Sequence, residues 1–154
     1  MKKCGKDRNY WLFWLSLTLV FLLVVINNLT AQPSQKQVYD LLVKLKVDHP
    51  EIVLRQAIGE TGCGNTGVGK SKNNLFGFSY RGSYITFKNW KESVKYYKKW
   101  QEKWYCKHMD EVHCSDAECD YYCFLWSIGY VDGKFRTKRG KEYNDYLKSL
   151  KIRK

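Results

Sequence analysis

The chain has 154 residues, with 27 Lys and Arg against 15 Asp and Glu, for a formal charge of +12. A hydrophobic share of 44% and an aromatic share of 16% exclude a disordered chain, and the length excludes more than one ordinary domain with one core. The basic surplus excludes an acidic surface and leaves two readings, a solvated positive face or a site for an anionic partner.

The first elements in chain order are a leader. Lys2, Lys3, Lys6 and Arg8 precede an uncharged run from Tyr10 to Ile26, and a short polar exit through Asn27, Asn28 and Thr30 ends at Pro33. A basic start, an apolar stretch and a polar exit make an export signal. The run is long for a cleaved signal and short for a spanning helix, so residues 1–32 are expected to be either a signal peptide or a membrane anchor. In both cases the positive-inside bias places residues 33–154 outside the cytoplasm. This part keeps 23 basic against 14 acidic residues, a surplus of nine. Acidic lipid headgroups or an anionic wall polymer then fit better than nucleic acid, which export makes the least suited partner.

Val38, Leu41, Leu42 and Leu45 fall at the spacing of an amphipathic helix. Pro50 sits where a first helical residue belongs, ahead of E-I-V-L-R-Q-A-I-G-E, a segment apolar around much of its circumference and therefore central. Val53, Ala57 and Glu60 share one face, which predicts a Glu60 carboxyl projecting from the last turn on the packed side of that helix. A Gly-rich loop follows from Gly62 to Gly69. Phe76 to Phe87 alternates aromatics around Arg81-Gly82 and predicts a short hairpin. Asn89 with Glu92 forms a capping-box pattern that opens a helix striped by Trp90, Val94, Tyr97 and Trp104. Tyr121, Leu125 and Ile128 mark another helix, stopped by Gly129, and Tyr143, Tyr146, Leu147 and Leu150 mark the last. The expected fold is mostly α with one small β-hairpin.

Gly64 to Ser71 reads G-N-T-G-V-G-K-S, a full match to the phosphate-cradling pattern G-x-x-x-x-G-K-[ST]. Such a loop needs a buried strand before it and a helix immediately after it, whose N–H groups face the phosphates. Here a Pro-started helix ending in a carboxylate precedes it, and turn residues (Asn73, Asn74, Gly77) follow it. The match is read as a chance one, and no nucleotide is expected.

Four motifs then carry a resemblance. Q-A-I-G-E-T-G (Gln56 to Gly62), N-N-L-F-G (Asn73 to Gly77), F-K-N-W-K-E-S-V-K-Y-Y (Phe87 to Tyr97) and D-Y-Y-C-F-L-W-S-I-G-Y (Asp120 to Tyr130) resemble, in this order and at similar spacing, the glucosaminidase family of peptidoglycan hydrolases. The E-Y-N-D-Y-L-K-S-L tail extends the resemblance, which covers most of Val38 to Ile152. It implies a lysozyme-like fold and cleavage of the β-1,4 bond on the reducing side of N-acetylglucosamine, with Glu60 as the catalytic acid. The bottom-up reading agrees, since a partly desolvated carboxyl keeps its proton near neutral pH. The resemblance also places Tyr130 at the cleft, positioning substrate. Phe76, Tyr80 and Tyr84 are candidates for stacking on sugar faces, and Asn74 for bonding an acetamido group or holding a turn. No cofactor and no metal are called for.

A glycosidase ordinarily uses a second carboxylate, which relatives place in the hairpin lobe after N-N-L-F-G. Gly77 to Asn89 contains no Asp or Glu. Either Glu92, Asp132 or Asp145 reaches the cleft, or the substrate's own acetamido oxygen attacks the anomeric carbon, the route the sequence favours. Two rivals remain: a lytic transglycosylase on the same fold, and a basic glycan-binding protein without catalysis. Relatives often carry an aromatic after E-[ST]-G, where this chain has Cys63. The connection from Cys106 to Cys123 holds Cys106, Cys114, Cys119 and Cys123 and no C-x-x-C pair. In an oxidising compartment these four are expected to form two disulfides, with three pairings open, in preference to a zinc site or free thiols.

Overall fold

The structure is a computed structural model that describes residues 11–21, 32–111, 121–131, 133–134 and 136–153, without the side chains of 106–111. It divides into two units, Met1–Ala31 and Gln32–Lys154. In the first, residues 11–21 form a helix, α1. No described helix is long and apolar enough to cross a membrane, and residues 22–31 of the expected signal or anchor lie outside the described residues.

The second unit runs α2 (Gln35–Lys44), α3 (Pro50–Thr61), α4 (Gly67–Lys72), β1 (Ser79–Tyr80), β2 (Ser83–Tyr84), α5 (Trp90–Glu111), α6 (Tyr121–Ser127) and α7 (Lys138–Ser149). Its starts and stops are local chemistry. Ser34 caps α2 in a complete capping box, its hydroxyl accepting from the Gln37 N–H and its own N–H donating to Gln37 Oε1. Pro50 opens α3 at its first position, and Gly62 closes it in the left-handed region. Asn89 Oδ1 accepts from the Glu92 N–H at the start of α5, while the Glu92 carboxylate turns outward to Lys95. Thr137 caps α7 by accepting from the Gly140 N–H.

The strands pair antiparallel with Ser79 opposite Tyr84 and Tyr80 opposite Ser83. Arg81 and Gly82 both have positive φ, 50° and 79°, as a two-residue turn matched to the strand twist requires. The fold is thus mostly helical with one small hairpin, as expected.

Helix α3 is central. Its Val53, Leu54 and Ala57 are fully buried in one core cluster with Val38 and Leu42 of α2, Val94 and Tyr97 of α5, Phe124 and Leu125 of α6 and Leu147 of α7. Burying one such aliphatic or aromatic side chain stabilises the fold by about 1.5–3 kcal/mol. Several of the polar groups inside are paired with one another. The Tyr97 hydroxyl reaches Gln56 Oε1 and Tyr121 Oη, and the Gln101 amide closes a two-bond ring with the Asp48 backbone, both at 2.9 Å. On α5 the stripe holds at Val94 and Tyr97, while Trp104 is exposed.

Two expectations are corrected. The segment read as a Gly-rich loop followed by turn residues contains α4 from Gly67 to Lys72, because Gly69 packs directly on the end of α3. A Cβ at Gly69 would lie 2.5 Å from Thr61 Cβ and 2.7 Å from Gly64 Cα. The cysteine-rich segment is not one connection either. Cys106 lies in α5 and Cys123 in α6, half-buried, which leaves residues 112–120 between them. Cys114, Cys119 and the Cys106 side chain lie outside the described residues, and the expected disulfides lie there with them.

Candidate active site

The E-T-G and N-N-L-F-G segments meet through Thr61. Its hydroxyl donates to the Leu75 carbonyl (2.9 Å) and accepts from the Gly64 N–H (3.0 Å), while the Leu75 N–H donates to Ser93 Oγ on α5 (3.1 Å). This lacing brings Gly77 beside Glu60, where a Cβ on residue 77 would stand 3.4 Å from Glu60 Oε2. Gly77 has a φ of +65°, so the family-type glycine both permits the turn and leaves that oxygen uncovered.

Glu60 lies in a cleft of about 1380 Å³ whose lining includes Phe76, Phe78, Tyr84, Trp100, Trp104, Tyr130, Tyr143 and Tyr146. Contrary to the expected packed-side position, Glu60 is an exposed residue by area, because its helix face opens into the cleft at the last turn. The carboxyl nevertheless sits low, beside Tyr130 and Tyr143. Burial raises its pKa above the ordinary 4.5, opposed by a hydrogen bond from Tyr143. The side chain is open toward the mouth of the cleft and enclosed by protein on its other sides. The bond from Tyr143 Oη to Glu60 Oε1 is 2.6 Å. Burial, with Tyr130 and Glu60 nearby, pushes the Tyr143 phenol well up. Tyr143 therefore keeps its proton and donates it in a hydrogen bond, and Glu60 Oε2 remains for an incoming group.

Tyr130 lines the cleft, with its ring stacked on Tyr143 at 6.1 Å, but its hydroxyl donates to the Phe76 carbonyl. It holds the cleft wall and orients Tyr143 with its ring. Phe76 is 2% exposed, a core residue that shows one edge to the cleft, and Tyr84 lines the cleft at 52% exposure. Tyr80 is 65% exposed, carries the Arg81 guanidinium over its ring and does not line the cleft. Asn74 is fully buried. Its amide donates to the Phe78 and Ile85 carbonyls and accepts from the Phe78 N–H, so of the two roles considered for it the turn is the one it fills.

Among the described lining residues Glu60 is the only carboxylate. Glu92 pairs with Lys95 away from the cleft, Asp145 is exposed outside it, and Asp132 lies outside the described residues. No three described His, Cys, Asp or Glu side chains converge as a metal site.

The residue missed from sequence is Tyr143. Its spacing with Tyr146, Leu147 and Leu150 read as a core stripe, and nothing local marks it as the partner of a carboxyl 83 positions earlier. Cys63, in the place of the relatives' aromatic, is a buried free thiol pushed up to about 12 by desolvation. It holds a φ of +57°, continuing the left-handed exit begun at Gly62. The phosphate-type motif has a helix before it, no strand, and an exposed Lys70, and its Ser71 hydroxyl is spent on the Gly67 carbonyl.

A search of curated proteins and a search of solved structures returned no match. The family model for glucosaminidase, described as mannosyl-glycoprotein endo-beta-N-acetylglucosaminidase, matches residues 35–151, a span that contains every element from α2 to α7 and the whole cleft. The chain belongs to the glucosaminidase family of glycosidases.

Proposed function

We propose that this protein is a peptidoglycan hydrolase acting outside the cytoplasm, cleaving the β-1,4 bond on the reducing side of N-acetylglucosamine with Glu60 as general acid. The observation that carries the reading is a carboxyl whose pKa is raised by burial, hydrogen-bonded by Tyr143 low in an aromatic-walled cleft. Sugar rings present apolar faces to such walls, and a protonated acid beside them suits protonation of a glycosidic oxygen.

In the proposed reaction Glu60 gives its proton to the bridging oxygen as the C1–O bond breaks. The acetamido oxygen of the same sugar closes on C1, forming a cyclic oxazolinium ion. Water then adds to C1 while the Glu60 carboxylate takes back a proton, and the acetamido group is released. A single described carboxylate in the cleft favours this route over a two-carboxylate displacement.

The same observation serves a lytic transglycosylase, which also needs one acid, and in which the sugar's own hydroxyl closes the ring in place of water. Mass spectrometry of fragments released from purified peptidoglycan separates the two. The hydrolase reading expects reducing N-acetylglucosamine ends; anhydro-sugar ends in their place would replace it with the lytic one. Release of no fragment at all would leave a glycan-binding protein.

Tyr143→Phe tests the hydrogen bond. The bond lowers the Glu60 pKa against the effect of burial, so losing it raises that pKa further. The alkaline limb of kcat/KM, where the acid loses its proton, should therefore move to higher pH. A misoriented carboxyl should also cost about tenfold in rate. An unmoved limb would mean that the bond is not made in the working enzyme.

A further inference from the structure

The charge of the cleft is unequally distributed. The hairpin contributes Ser79, Gly82 and Tyr84, all uncharged, and the stretch that leads into and opens α7 contributes Arg136 and Arg139, the only cations among the described lining residues. Neither has an ion-pair partner among the described residues. By contrast, Lys138 between them pairs with Glu142 at 3.7 Å, and Lys95 and Lys98 pair with acids on their own surfaces.

Arg136 is held in place. Its guanidinium lies over the Trp126 ring at 5.8 Å, its backbone N–H donates to the Trp126 carbonyl, and the Trp126 indole N–H donates to the Thr137 carbonyl. Gly140 is what lets that indole approach α7, since a Cβ there would meet Trp126 Cδ1 at 2.9 Å. Arg136 also adopts a φ of +52°, a conformation that costs a side-chain-bearing residue about 1 kcal/mol or more. Arg139 stands in the first turn of α7, which contains no acid, and a cation at that end of a helix is disfavoured by the helix dipole. The Trp126 contact offsets only part of the backbone cost at Arg136, and no ion pair among the described residues offsets the dipole at Arg139.

We propose that Arg136 and Arg139 form an anion subsite on the α6–α7 wall of the cleft, which takes a carboxylate of the glycan substrate. This deepens the functional reading above and rests on it for the identity of the glycan. The planar guanidinium fork matches a carboxylate through paired N–H donors. In peptidoglycan two carboxylate sources stand beside the sugar bonds, the lactyl group of a peptide-free muramic acid and the stem peptide of a substituted one. An N-acetylglucosamine homopolymer has neither, so the subsite would separate wall glycan from chitin-like glycan.

The test is equilibrium binding to the Glu60→Gln protein, which holds substrate without consuming it. Three tetrasaccharides serve as probes: neutral chitotetraose, a peptide-free muramic acid tetrasaccharide, and the same sugar bearing its stem peptide. One or both anionic probes should bind at least about tenfold more tightly than chitotetraose, with the preference shrinking at high salt. Whichever anionic probe leads identifies the source of the carboxylate. Adding Arg136→Gln and Arg139→Gln should bring the anionic probes down to the level of chitotetraose while leaving chitotetraose within about twofold. Equal loss across all three probes, or no initial preference, would overturn the subsite. Fragment release by the unmutated protein is read separately. Arginine-dependent carboxylate binding without any release would sink the hydrolase reading and leave the subsite standing, whereas release without carboxylate preference would do the reverse.

Discussion

Replacing Glu60 by Gln is expected to lower glycan cleavage by about two to four orders of magnitude and to leave the fold intact. Glutamine keeps the size of the side chain and still accepts from Tyr143 Oη, but it has no proton to give. The bridging oxygen would then leave as an alkoxide. The same exchange at Glu92 or Asp145 should change the rate less than about twofold, because neither lines the cleft; Asp132→Asn belongs in the same series.

Stability gives a second readout whose sign follows from the pKa. Burial raises the Glu60 pKa above 4.5 in the folded state, so the folded protein binds this proton more tightly than the unfolded chain. Between the ordinary and the raised value, stability falls as pH rises; the penalty is complete above the raised value and absent below the ordinary one. Gln carries no such penalty. At neutral pH Glu60→Gln should melt at the same temperature as the parent or higher, and below pH 4.5 the two should coincide. A well-folded variant that digests peptidoglycan at near the parent rate would remove Glu60 from the chemistry. A variant that melts lower only at neutral pH would contradict the burial argument.

Legibility of the fold and the site divides along the distance over which a signal acts. Helix α3 could be read because every instruction for it is local: Pro50 at the start, buried Val53, Leu54 and Ala57 at helical spacing, and Gly62 at the stop. The hairpin was legible for the same reason, since Arg81-Gly82 is its own turn. Glu60 could be placed at the end of a helix, but not on its open side. That depends on Leu75 being laced to Thr61 and on the cleft this creates. The α4 segment reads as a loop because its glycines weaken a helix by about 1 kcal/mol each, and packing of Gly69 on Thr61 overrides that preference. Tyr143 and the two arginines were illegible in opposite ways. Tyr143 looked like core and the two arginines carried no local mark beyond the basic surplus of the whole chain, and only the docking of α7 beside α3 shows what Tyr143 faces.

Gly129→Ala should be the most destabilising single-methyl change in the turn that carries the cleft wall. Gly129 has a φ of +66°, and an added Cβ would lie 2.5 Å from the Lys134 carbonyl oxygen and 2.7 Å from that residue's backbone C and N. Those are main-chain atoms, so no rotamer change relieves the clash. The left-handed conformation costs alanine about 1 kcal/mol and the overpacking about 1–3 more, so a loss of about 2–4 kcal/mol is expected. Gly133 in the same turn supplies the control. Its φ is +68°, and nothing lies within 4 Å of its added Cβ. Gly133→Ala should therefore show the conformational cost alone, about 1 kcal/mol. Activity should separate the two variants further. Tyr130 follows Gly129 directly, with its N–H on the Leu125 carbonyl and its hydroxyl on the Phe76 carbonyl, so a displaced turn shifts the ring against which Tyr143 stacks. Gly129→Ala should lose cleavage at temperatures where it is still folded, and Gly133→Ala should not. Thermal melts of the two variants within about 2 °C of each other would sink the crowding argument, because that interval is worth well under 1 kcal/mol in a domain of this size.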